Sequence, residues 1–208
     1  MIIGLVGFIG SGKGTVGDIL VQDYDFIHES FAKPVKDIAS FIFGWDREML
    51  EGSTEQSRAW REKPDEKWSN LLEKEFSPRL ALQLIGTEIG RNTFHDDFWI
   101  KLMQSRVDPN KNYVITDVRF PNEIKFIQEN DGLVFHIQRG RLPIWYEDAL
   151  YANRGSHEHE YNMINVHKVH SSEWKWIGSP VTLTVTNNSS LDDLKKEIKN
   201  IMNVYLKR

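Results

Sequence analysis

Apolar and polar positions follow two rhythms along this chain: short unbroken apolar runs, and stretches with helical spacing. Ile2–Val6 is an apolar run ending at a glycine, the form of a strand buried on both faces. From Lys13 to about Tyr24 the spacing predicts a helix with Val16, Ile19 and Leu20 on one face. Residues 26–28 read as a short second strand. Pro34 suits a first helical position, and Val35, Ile38, Ala39 and Ile42 carry that helix to Gly44. Residues 45–77 are the most polar part and read as an excursion from the core. A helix is predicted over 78–92, with Leu80, Leu84 and Ile85 inward, and another over 98–107. Strand 113–116, helix 121–130 and strand 133–137 follow. Residues 140–178, rich in aromatics and histidines, form a second excursion. Residues 181–185 alternate as a strand does. Ser190, with Asp193 three residues on, caps a last helix striped by Leu191, Leu194, Ile198, Ile201 and Tyr205. Strands alternating with helices predict an α/β fold with a mostly parallel sheet flanked by helices.

Composition narrows the function classes. A chain of 208 residues suits one well-cored domain, with or without insertions. Lys plus Arg number 26 and Asp plus Glu 30, a net charge of −4 that argues against a broad nucleic-acid footprint. It leaves room for a local phosphate pocket. With no cysteine there are no disulfides or thiolate metal sites, which fits a reducing cytosol. The apolar N-terminus lacks a basic region before it and reads as a strand, not a signal peptide. No apolar run approaches the ~18 residues a membrane span needs. The expectation is therefore a soluble protein with no membrane or direct nucleic-acid partner.

The segment Gly7-Phe8-Ile9-Gly10-Ser11-Gly12-Lys13-Gly14-Thr15 carries the chemistry. It follows a predicted strand and opens a predicted helix, the context a phosphate-binding loop requires. Backbone N–H groups in such a loop form an anion cradle, and the helix adds its positive end. Gly10, Ser11, Gly12, Lys13, Gly14 and Thr15 are the candidate ATP ligands, with Lys13 reaching the β- and γ-phosphates. Gly14 stands where Walker loops usually carry Ser or Thr, so Mg²⁺ is expected through water and not on a loop hydroxyl. Adenylate-kinase-type enzymes share this Gly-Lys-Gly-Thr order. At the end of the strand at 113–116 stands Asp117, where open α/β sheets place their ligand crevice. It is a candidate to hold Mg²⁺ through water or to orient an acceptor, and Arg119 to meet a phosphate. The plainer alternative makes Asp117 a cap for the helix near Pro121.

In collinear order over most of its length, the chain resembles the bacteriophage deoxynucleotide monophosphate kinases of the T-even type. The resemblance rests on the phosphate loop, on Phe31-Ala32-Lys33-Pro34-Val35-Lys36-Asp37, and most specifically on Arg79-Leu80-Ala81-Leu82-Gln83-Leu84-Ile85-Gly86-Thr87-Glu88. Asn92, Phe94, Phe98-Trp99, Asp117-Val118-Arg119, His157 with Glu160, and the ending from Val185 to Leu194 extend it. It departs at Gly14, where the T-even enzyme carries Asp, and in a shorter insertion before Arg79.

This resemblance implies a P-loop NTPase fold of the nucleoside-monophosphate-kinase kind. It implies a single domain over 1–208, with an acceptor-binding excursion at about 35–110 and a lid-like one at about 139–178. It implies ATP with Mg²⁺, a deoxynucleoside monophosphate acceptor, a homodimer, and a place in the cytoplasm of an infected bacterium. Lys13, Arg119 and Asp117 become the catalytic set. Val35, Lys36, Arg58, Arg79, Gly86, Thr87 and Trp99 become the acceptor side, with Gln83, Arg91, Asp117 and Glu160 as further contacts. Arg139, and less so Arg141, resembles a lid arginine. Each arginine also reads as a solvated charge, and Trp99 as core. His157, His159, His167 and His170 lie near Glu158 and Glu160, but their spacing fits no strong zinc pattern. Two rivals stand beside this reading. One is a kinase of another metabolite, such as dephospho-coenzyme A or a sugar acid. The other is an NTP-hydrolysing switch, which usually wants Ser or Thr at position 14 and a second carboxylate where Val118 follows Asp117.

Overall fold

The structure, a computed structural model, describes residues 1–206. Its elements run β1 (Ile2–Val6), α1 (Lys13–Tyr24), β2 (Ile27–Glu29), α2 (Lys33–Phe43), α3 (Arg47–Glu51), α4 (Glu55–Glu62), α5 (Glu66–Leu71) and α6 (Pro78–Gln83). A π-helix over Leu84–Phe94 leads to α7 (Phe98–Gln104), β3 (Tyr113–Ile115), α8 (Pro121–Glu129) and β4 (Leu133–Gln138). Then come α9 (Tyr146–Asn153), α10 (His157–Tyr161), a π-helical turn at Asn162–Val166, a 3-10 turn at Ser171–Glu173, β5 (Leu183–Thr186) and α11 (Leu191–Tyr205). No helix among the described residues is long and apolar enough to cross a membrane. The chain divides into two compact units, one of residues 1–30 and 107–208 and one of residues 31–106.

The first unit holds the whole sheet, in order β2-β3-β1-β4-β5. Every pairing is parallel, with Gly4 opposite both Ile115 and Val134. β1 is central and every one of its residues is buried, which its unbroken apolar run demands. The core under it joins Ile3, Leu5, Val16, Leu20, Val114, Phe135, Ile137, Val185, Leu194 and Ile198. Ser190 caps α11 by accepting from Asp193 N at 3.2 Å, as the sequence predicts. The predicted stripe is corrected at its first member: Leu191 is exposed, and Met202 takes the inward place. Leu191 opens the first turn, before the helix has reached the core. Because all strands are parallel, the segments after β1, β2, β3, β4 and β5 leave the sheet from one edge, its carboxyl edge.

The second unit is helical. Residues 45–77, polar in sequence, enclose an aromatic core of their own. Phe43 stacks on Trp45 at 4.5 Å and meets Trp68 and Phe76 at 5.1 and 5.2 Å. Trp45 donates its Nε1–H to Asp65 at 2.8 Å. Asp46, Thr54 and Asp65 cap α3, α4 and α5. In α2, which ends before Gly44 as the spacing predicts, Val35 and Ala39 are buried while Ile38 and Ile42 are exposed. The helix predicted over 78–92 is α-helical only to Gln83 and continues as a π-helix to Phe94. Its wider winding turns Ile89 outward and Gly90 and Arg91 inward.

Candidate active site

The loop between β1 and α1 has the backbone the sequence demands. Gly7, Gly10 and Gly12 have φ of 144°, 79° and 100°, in the region L side chains avoid. Gly12 is the N-cap of α1, so the cradle leads into the positive end of a twelve-residue helix. A side chain at Gly12 would run into Asn187 Nδ2, which donates to the Ser11 carbonyl at 2.9 Å. Asn187 thus braces the loop from the end of β5. Ser11 Oγ is buried and has no hydrogen-bond partner among the described residues, which suits a phosphate oxygen as acceptor.

Lys13 folds back over this loop. Its Nζ donates to the carbonyls of Gly7 and Phe8 at 2.6 and 2.9 Å, which leaves a third ammonium hydrogen for a ligand. Burial first, then the charge of nearby Arg119, brings its pKa down to about 8, against the opposing pull of Glu173 and Asp117. An ammonium held in this state gains more from an incoming phosphate than one already solvated. Gly14 and Thr15, the next two predicted ligands, are exposed at the start of α1.

Asp117 and Arg119 stand just past β3, on the same edge of the sheet. Asp117 Oδ2 accepts from Ser30 Oγ, past the end of β2, at 2.8 Å. Beside it, His28 Nε2 and Thr116 Oγ1 are 2.8 Å apart. Arg119 donates its backbone N–H to Glu123 Oε2 at 2.7 Å, and Glu123 also takes the Phe120 N–H at 3.1 Å. The N-cap of α8 is therefore Phe120, with Glu123 in the third helical position reaching back to its N–H, and Asp117 turns to Ser30. The guanidinium of Arg119 meets Glu173 Oε1 at 2.6 Å and the Ser172 carbonyl at 3.2 Å. Sequence reasoning missed Glu173 because nothing in residues 140–178 marks it, whereas Glu123 sits three residues after Phe120 in a readable capping position.

Residues 140–178 are packed into the first unit. Phe8 of the phosphate loop meets Trp145, Tyr146 and Trp176 at ring distances of 5.6, 6.2 and 5.1 Å. Arg139 and Arg141 are exposed, and Gly140 N donates to Asn188 at 2.7 Å. Asp148 gathers His159 and His167 at 2.6 and 2.7 Å, and these bonds, His167 first, hold its carboxyl at about 2. His170 bonds Ser172 instead, at 2.9 Å. Glu160 pairs with Lys175 at 3.2 Å on a cavity of about 470 Å³ that Asn153 and Arg154 also line.

The remaining candidates lie in the second unit. Val35 is buried, and Lys36 pairs with Glu51 at 2.5 Å. Arg58 bonds the carbonyl of Ser53 at 2.9 Å, and Arg79 lies 4.0 Å from Glu62. Gln83 ends α6, and Gly86, Thr87 and Arg91 lie on the π-helix. Trp99, 4% exposed, donates to the Gly86 carbonyl at 2.6 Å, and a Cβ on Gly90 would fall 2.5 Å from its ring. Arg91 is equally buried and closes the end of the π-helix on the Asp96 carbonyl at 2.7 Å. Trp99 and Arg91 thus shape this segment from beneath. A Cβ on Gly86, by contrast, would make only ordinary contacts at 3.7 and 3.8 Å with Val35.

Comparison with known proteins bears on this geometry. The family profile described as "Deoxynucleotide monophosphate kinase" matches residues 46–198, a span that leaves out the phosphate loop. A protein of Acanthamoeba polyphaga mimivirus, named provisionally as a deoxynucleotide monophosphate kinase, is 33% identical over 153 residues. That match takes in 67% of this chain and 74% of the viral one. The deoxynucleoside-5'-monophosphate kinase of Escherichia phage T5 is 29% identical over 185 residues, covering 64% of this chain and 74% of that enzyme. Among solved structures, a shikimate kinase from Aquifex aeolicus aligns over 99% of this chain and 98% of its own, at a TM-score of 0.44 and 14% identity. That looser likeness carries no weight beside the sequence matches. On the profile match and the viral relatives, this chain belongs to the deoxynucleotide monophosphate kinase family.

Proposed function

We infer that this protein transfers the γ-phosphate of ATP to a deoxynucleoside monophosphate, giving the diphosphate and ADP. One observation carries the reading: a phosphate loop with a half-buried lysine stands at the carboxyl edge of a parallel sheet, in a chain whose family match rests on other residues. The loop amides, Ser11 and Lys13 take the β- and γ-phosphates. An acceptor phosphate oxygen is already an anion, so the protein needs to supply position and positive charge more than a base. Lys13 and Arg119 supply the charge. Mg²⁺, when bound with the nucleotide, neutralises phosphate charge, and Asp117 would hold it through water.

The second unit reads the acceptor. Gly86 leaves backbone accessible where packing does not ask for a glycine, and Thr87 and Gln83 offer hydrogen bonds to a base edge. Lys36, Arg58 and Arg79 supply cations for its phosphate. Residues 139–178 serve as the lid, with Arg139 for the donor phosphates and Glu160 for the nucleotide sugar or base. The family resemblance also supports a homodimer, which light scattering tests, and a role in supplying DNA precursors inside an infected bacterium.

The decisive experiment is a coupled assay of all deoxynucleoside and ribonucleoside monophosphates with ATP and Mg²⁺. Turnover of at least one deoxynucleotide is expected. Lys13→Ala should lower kcat by about 10²–10³-fold with an unchanged circular dichroism spectrum. Wild-type turnover in that variant, or ATP hydrolysis with no phosphorylated acceptor, overturns the reading.

A further inference from the structure

Arg119 is held at both ends. Its backbone N–H is fixed by Glu123, and its guanidinium by Glu173 and the Ser172 carbonyl. Glu173 is no mobile surface acid. It ends the 3-10 turn Ser171–Glu173, and its side chain is only 16% exposed. Trp176 donates its Nε1–H to the Glu173 carbonyl at 3.1 Å, and the same indole ring packs against Phe8 of the phosphate loop. A continuous chain of contacts therefore runs from Phe8 through Trp176 and Glu173 to Arg119. The loop that grips the donor and the arginine that meets a phosphate are set by one another through this turn.

Charge gives the pair a second purpose. Lys13 feels the charge of Arg119 and of two carboxylates, Glu173 and Asp117, and His136, whose pKa burial lowers first, feels the Lys13 charge in turn. Two like charges in a buried site oppose one another unless a counter-charge lies between them. Glu173 is bonded to Arg119 and acts on Lys13, so it answers both. We propose that Glu173 is a positioning residue for phosphoryl transfer, which holds the Arg119 guanidinium in place and balances its charge against Lys13. This rests on the kinase reading above.

The test uses Glu173→Gln and Glu173→Ala in the full chain, with kcat, KM and ATP affinity by calorimetry measured from pH 6.5 to 9.5. Gln keeps an acceptor oxygen for Arg119 but loses the charge, whereas Ala loses both. The expected loss in kcat is about tenfold for Gln and approaches 10²-fold for Ala, the scale of a misplaced catalytic group. ATP affinity at pH 6.5 should not weaken in Glu173→Gln, because a carboxylate near a polyphosphate repels it. The alkaline fall in ATP affinity should begin at lower pH in both variants, a readout independent of turnover. Wild-type kcat and pH dependence in both variants overturn the proposal. So does a loss of activity that follows a loss of Tm with the alkaline fall unmoved, since the turn would then be merely structural. A wild-type chain that binds ATP but phosphorylates no monophosphate removes the kinase reading, and this inference with it.

Discussion

Glycine serves the phosphate loop and the π-helix of this protein in different ways. In the phosphate loop, Gly7, Gly10 and Gly12 take backbone angles closed to other residues, and Gly12 is also pressed by Asn187. In the π-helix, neither Gly86 nor Gly90 has a positive φ. Gly90 is required because the Trp99 ring lies against it, while Gly86 has room for a methyl group. The loop is thus dictated by its own backbone, and the π-helix by what packs beneath it. At Gly86 neither backbone nor packing requires a glycine, so the acceptor role proposed above is what a substitution there would test.

Substitution of these glycines can break that contrast. The largest effect is expected at Gly12→Ala, which meets both a positive φ and Asn187. Together these should cost about 2–4 kcal/mol, read from the denaturant midpoint, and abolish ATP binding. A stable, ATP-binding Gly12→Ala variant would show that the loop is not held by its backbone geometry.

The next effect belongs to Lys13. Its folded pKa of about 8 lies below the ordinary lysine value. The fold therefore favours the neutral amine, and this penalty on stability, present at lower pH, is relieved as pH climbs from about 8 towards the unfolded value. ATP needs the ammonium, so binding above pH 8 must take up a proton. Affinity should fall by about tenfold per pH unit there. Calorimetry in buffers of different ionisation enthalpy measures the uptake directly.

Gly86→Ala sharpens the comparison from the other side. Stability should change by less than about 1 kcal/mol, since the new methyl only touches Val35. KM for the acceptor should rise severalfold with kcat less affected. Gly14→Ala is the smallest change. Position 14 lies in α1 with open space around it, so Ala should stabilise the fold by about 0.5–1 kcal/mol, read from the denaturant midpoint.

Much of the first unit could be read in advance because its signals are local. Ile2–Val6 is an apolar run, the loop has its glycines in sequence, and Ser190 precedes Asp193 by the capping interval. The second unit was harder. Its aromatic core is assembled from Phe43, Trp45, Trp68 and Phe76, spread along a stretch that is otherwise mostly polar. The π-helix was invisible, because no residue pattern distinguishes it from an α-helix. It becomes visible only where Trp99 takes the Gly86 carbonyl and His95 N reaches back to Gly90.

The sequence alone determined the strand–loop–helix that binds phosphate, since glycine freedom, a following lysine and the strand before them are all properties of neighbouring residues. The tertiary structure alone decided which distant groups complete the site. Asn187 braces the loop across 176 positions, and Glu173 meets Arg119 across 54. A parallel sheet brings the ends of all its strands to one edge whatever their separation along the chain, and no local pattern can encode which side chains will meet there.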